Sequence, residues 1–145
     1  MDKQYIALVE QAAIVLGITE CATRLYRRDV IWWEDNSVVL AGMCKGANHG
    51  EDLDAGTTAI HLMIAQLRMR PWWEYVESKA NWSDGASRMG IADPWIKKHG
   101  FDVRAGTVPT WPWVGTAETR LSQVRESVRI HGAAVGSNRK DQRWV

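Results

Sequence analysis

Two short runs rich in tryptophan and β-branched residues, Asp29 to Trp33 and Trp72 to Val76, carry the composition of β-strands, and the residues between them carry helical spacing. A connection built from helices returns the chain in the same direction, so the two runs are expected side by side and parallel in one sheet. The first reads as buried and stops at Glu34–Asp35–Asn36; the second alternates along its length. Two strands make a small sheet, so helices must supply most of the core.

From Gln4 to Leu25 the apolar residues Ile6, Val9, Ala13, Leu16 and Leu25 predict a long amphipathic helix with Glu10 in its early turns. Arg24, Arg27 and Arg28 suit its negative end. Ser37 to Lys45 reads as a short helix followed by the breaker-rich loop Gly46–Ala47–Asn48–His49–Gly50. Leu53, Thr57, Ile60, Met63, Ile64 and Leu67 predict a second long helix, which Pro71 ends. The two long helices should pack beside the sheet and bury Leu16, Ile60 and Ile64.

The group Asn81–Trp82–Ser83–Asp84 opens a helix that runs to Met89, with Gly90 as its stop. Beyond Ile91 the character changes. Asp93–Pro94–Trp95 opens one or two helical turns, and Val108 to Trp113 is expected to be extended because of its prolines. These features place a boundary near residue 92, with a unit over 1–92 and a C-terminal extension over 93–145. Within the extension, Thr116 to Ile130 reads as one more exposed helix and Gly136 to Val145 as a disordered basic tail.

A chain of 145 residues suits one domain, and 18 Lys and Arg against 17 Asp and Glu leave a formal charge of +1, which sets up no global field for nucleic acid or membrane. Cys21 and Cys44 lack the spacing of a zinc site and read as free thiols of a reducing compartment. No run of about 20 apolar residues and no secretory layout stands out, so an intracellular chain, in cytoplasm or nucleus, is expected. Nine Trp against one Phe gather at Trp32–Trp33, Trp72–Trp73 and Trp111–Pro112–Trp113, where core or interface is their ordinary use.

Three acids stand where elements meet loops: Glu10 in the first helix, Asp35 after the first strand, and Asp84 at the helix start after the second. Strand ends are where α/β folds gather functional groups, and hard divalent cations take converging carboxylates. Taken singly, an Asp at a strand end or a helix start is more often a turn-former or a cap. His49 and His61 have no partner ligands at metal spacing, and Gly42 with Gly46 lacks the Lys-Ser/Thr of a phosphate loop.

The text around the acids is more specific. Trp33–Glu34–Asp35–Asn36–Ser37 resembles the strand-to-helix corner of ribonuclease H domains of retroelements, where an Asp-Asn pair follows a hydrophobic strand. The stretch from Trp72 to Arg88 resembles that family's last strand and its Asn-x-x-Asp-x-x-Ser-Arg helix start, and Leu8–Val9–Glu10–Gln11–Ala12–Ala13 resembles its glutamate-bearing helix. All three stand in the family's order between about Gln4 and Met89.

The resemblance implies an α/β ribonuclease H-like fold, with Glu10, Asp35 and Asp84 as ligands of two Mg²⁺ ions that promote attack of water on the RNA strand of an RNA–DNA hybrid. It also implies nucleic-acid contacts by Asn36, Lys45, Lys79 and Arg88, and a reverse transcriptase domain as neighbour in a longer polyprotein. The family places three strands, the first with an Asp, ahead of the glutamate helix, whereas only Met1 to Lys3 stand there in this sequence. The chain therefore reads as an N-terminally truncated domain of weak or no activity. Two other readings are an inert or nucleic-acid-binding relic without catalysis, and a Trp-rich protein-interaction module.

Overall fold

The computed structural model describes residues 3–128, and from Tyr5 onward their side chains. The expected tail at Gly136 to Val145 and the end of the last helix at Ile130 lie outside the described residues. In chain order the elements are α1 (Lys3–Leu25), β1 (Asp29–Glu34), α2 (Ser37–Lys45), α3 (Glu51–Leu67), β2 (Arg70–Tyr75), α4 (Trp82–Met89), α5 (Pro94–His99) and α6 (Ala117–Ser127). Short 3-10 turns occupy Ser78–Ala80, Gly90–Ala92 and Trp111–Trp113. The chain is thus a mixed α/β domain.

β1 and β2 pair in parallel as expected, with Asp29 opposite Arg70, Trp32 opposite Trp73 and Glu34 opposite Tyr75. Both strands are entered by the same device. Arg27 and Arg68 take left-handed conformations at φ 56° and 51°, which stop α1 and α3 and turn the backbone into the strands. The amide of Arg27 donates to the Leu67 carbonyl and that of Arg70 to the Arg28 carbonyl, so the two turns are stitched together ahead of the ladder. Pro71 therefore does not end α3; it is the second residue of β2, half-buried, and Arg68 caps the helix instead.

Strand alternation splits each tryptophan pair. Val30, Trp32 and Trp73 pack on the helical core, with the rings of Trp32 and Trp73 5.8 Å apart, while Ile31, Trp33 and Trp72 stay exposed on the other face. Neither a wholly exposed pair nor a wholly buried one results.

The core lies between α1, α2, α3 and α6, where Ile14, Ile18, Val39, Ile60, Met63, Leu67 and Val124 are almost fully buried. Two expectations fail here. On α1 the buried face is Ala7, Gln11, Ile14, Val15, Ile18 and Ala22, while Ile6 and Val9 are exposed and Leu16 only half-buried. The helix is apolar on several sides, so periodicity alone does not select the face that α3 covers. It is also long and apolar enough, from Tyr5 to Leu25, to cross a membrane by length and composition, which the sequence reading did not expect; one third of that stretch is buried within this protein.

The second failed expectation concerns the C-terminal region. Trp111–Pro112–Trp113 is a 3-10 turn rather than extended, because a proline early in a helical turn forfeits no hydrogen bond. That turn and α6 pack on α3, and Val124 and Val128, four residues apart, enter the same core as Ile60 and Met63. The core is therefore continuous across residue 92, and α6, exposed along most of its length as expected, docks on that core through Val124 and the following Val128.

At the centre of the α1–α3 contact the buried amide of Gln11 donates to the Leu53 carbonyl and to Thr57 Oγ1, both at 2.9 Å. Gly56 leaves room for it: a methyl at that position would strike Gln11 Oε1 and approach Trp113 Nε1. Replacing a helical glycine by alanine ordinarily gains up to about 1 kcal/mol, whereas overpacking a filled core costs roughly 1–3 kcal/mol. Gly56→Ala is therefore expected to destabilise the chain by about 1 kcal/mol in denaturant unfolding; a rise in stability would contradict this packing.

Candidate metal centre

The sheet ends where α1 passes it, and that meeting brings acids together. Glu10 sits half-buried on α1; Glu34 is the last residue of β1, and Asp35 follows in the strand-to-helix corner. One carboxylate oxygen from each of Glu10, Glu34 and Asp35 lies within 4.8 Å of the others. A cleft of about 170 Å³ opens over them, lined also by Trp33, Asn81 and Ser83.

The corner is held by local bonds. Asn36 caps α2, its Oδ1 accepting from the amides of Val38 and Val39 at 3.0 and 3.3 Å. Glu34 folds back over the turn, its Oε1 accepting from the Asn36 amide at 3.0 Å. Asp35 is thereby fixed between a strand end and a capped helix.

Charge crowds this spot. Glu34 is 5 % exposed, and burial pushes its carboxyl up to about 7, with the neighbouring Glu10 and Asp35 adding to the rise against the hydrogen bond from Asn36. Glu10 is raised as well, by burial first and then by the charges of Asp35 and Asp84. Three converging carboxylates, with no basic side chain paired to them among the described residues, form an oxygen donor set that suits a hard divalent cation.

The comparisons add no family. No family model, curated protein or solved structure matches this chain.

Of the residues singled out in the sequence, Glu10 and Asp35 come together. Asp84, in the first turn of α4, is outside the 4.8 Å group, though its charge reaches Glu10. Its carboxylate instead pairs with Arg88 one turn on, at 3.2 Å. Arg88 thus contacts Asp84 while largely exposed, and the Asn36 side chain caps its helix. Lys79 is exposed in the turn before α4, and Lys45 is exposed at the far end of α2, roughly 12 Å of helix from the corner.

Glu34 is the residue the sequence reading missed, having been taken as part of the turn that ends the strand. Its signal was present in the two-residue period of the strand. Val30 and Trp32 face the core, so the next residue in phase had to be an inward-facing carboxylate.

Proposed function

We propose that this chain is a ribonuclease H-like nucleic-acid domain whose centre is a divalent-cation site built by Glu10, Glu34 and Asp35. The observation that carries the reading is the convergence of these three carboxylates at the end of a parallel strand, at two of the three positions that the family resemblance picks out. The order of helix, strand, short helix, long helix, strand and helix agrees with it. A place in cytoplasm or nucleus goes with this reading.

Glu10, Glu34 and Asp35 would hold the cation, for which Mg²⁺ is the natural candidate, and Asp84 stands at the rim. When bound, such an ion stabilises developing charge on a phosphodiester and lowers the pKa of water. The chain's own groups do the rest: Asn36 and the Glu34 hydrogen bond keep the corner rigid, and Trp33 walls off one side. Two ions roughly 3.5–4 Å apart are the usual requirement for this hydrolysis. The 4.8 Å group supplies ligands for one, and Asp84 stands outside it, beside Arg88.

Weak catalysis follows, and binding outlasts it. Purified chain with Mg²⁺ is expected to bind a labelled RNA–DNA hybrid or its strands while cleaving the RNA little or not at all. The readout is cleavage of the labelled hybrid, with Asp35→Asn as control. Robust Mg²⁺-dependent cleavage that Asp35→Asn abolishes would show that Asp84 serves a second ion, against the one-ion account. Absence of both nucleic-acid binding and cation binding would remove the reading altogether.

A further inference from the structure

A second, larger cleft of about 530 Å³ adjoins the acidic one, with Ile31, Val76 and Trp82 among its walls. Trp32, Trp33, Asn81 and Ser83 line both, so the two form one depression with carboxylates at one end and rings at the other. Its volume falls within the roughly 300–1,000 Å³ of small-molecule sites.

Its rings are presented to solvent, not packed away. Trp33 is 57 % and Trp82 74 % exposed. Trp82 is backed by Trp95 at 5.4 Å between ring centroids, and Trp95 in turn by Phe101, stacked at 5.0 Å. Trp82 is thus the outermost ring of an aromatic cluster, with most of its surface turned to solvent.

The occupant must therefore bring a flat apolar face to one end and an oxygen-rich group able to share a cation to the other. A nucleotide carries both, one sugar apart. Within a duplex each base is covered by its neighbours and its partner, whereas an unpaired base has faces free to stack, at a gain that tolerates any sequence. We infer that this cleft takes an unpaired base of a single-stranded nucleic acid against the walls carrying Trp33 and Trp82, with the adjoining phosphate directed to the acidic end. The inference deepens the proposed function and rests on it for the placement of the phosphate.

The test uses the full chain and two labelled probes, a short thymidine strand and an abasic strand with the same phosphates, each titrated in EDTA and in Mg²⁺. The thymidine strand is expected to bind about tenfold more tightly than the abasic one in both buffers. Trp33→Ala and Trp82→Ala should each remove most of that preference, and Trp33→Phe and Trp82→Phe should keep most of it. Circular dichroism of these surface variants checks that the fold is kept. Equal affinity for the two strands, a preference that survives both alanine variants, or tighter binding of an RNA–DNA duplex than of the single strand would each overturn the inference. Failure of the cation site reads differently: the base preference remains in EDTA, and Mg²⁺ adds nothing to either probe.

Discussion

In EDTA at about pH 8, Glu34→Gln is expected to unfold at a higher temperature than the native chain. The carboxyl of Glu34 titrates near 7 in the folded protein against an ordinary value of 4.5, so the folded chain holds that proton more tightly than the unfolded chain does. The stabilisation from this group is complete below about pH 4.5 and is lost as pH rises to about 7. Each unit of pKa difference is worth about 1.4 kcal/mol, so ionisation of Glu34 removes roughly 3–4 kcal/mol. Glutamine keeps an oxygen for the Asn36 amide and carries no charge at any pH. For a chain of this size that difference is about 10 °C of melting temperature. Below about pH 4.5 native and variant should converge; a native chain at least as stable as the variant at pH 8 would show that Glu34 is not held in this crowded place.

A divalent cation should close most of that gap. With the ion present the ionised carboxylates become ligands, and saturation to about a hundred times the dissociation constant stabilises the folded state by roughly 2.7 kcal/mol. Because the ion competes with the proton on Glu34, its affinity should climb with pH to about 7 and then level off. Thermal unfolding with and without Mg²⁺ or Mn²⁺ checks both statements. Asp35→Asn and Glu34→Gln should lose most of the gain, and Asp84→Asn, outside the 4.8 Å group, should lose little. Equal gains in all four proteins would place the ion elsewhere.

The sheet was legible in the sequence because its two strands have compositions that nothing else in the chain shares, and a helical crossover leaves one direction for the second. Glu10 and Asp35 were legible through their places at a helix and at a strand end. Other features depended on packing that local pattern does not encode. The face of α1 is chosen by α3, since Ile6 and Val9 are as apolar as Ile14 and Ile18 yet remain outside. The end of α3 depends on an arginine in a conformation that L-residues seldom adopt, and Pro71 drew attention from it. The docking of α6 rests on Val124 and Val128, a pair too sparse to mark a buried face in an otherwise polar helix.

Glu34 was hidden by its company. Between Trp33 and Asp35–Asn36 it resembled one more polar residue of a turn, and only the phase of the strand sets it inside. Asp84 illustrates the converse: its motif pointed to a ligand, while the geometry gives its carboxylate to Arg88 and leaves it a neighbour of the cluster.

The most direct test of the cation site is a titration of metal-free chain with Mn²⁺, read by the electron paramagnetic resonance of the free ion, at about pH 8 where Glu34 is ionised. The account predicts one bound ion per chain, with binding lost in Asp35→Asn and strongly weakened in Glu10→Gln and Glu34→Gln. A native chain that takes up no Mn²⁺, or variants that take it up as the native chain does, would contradict it.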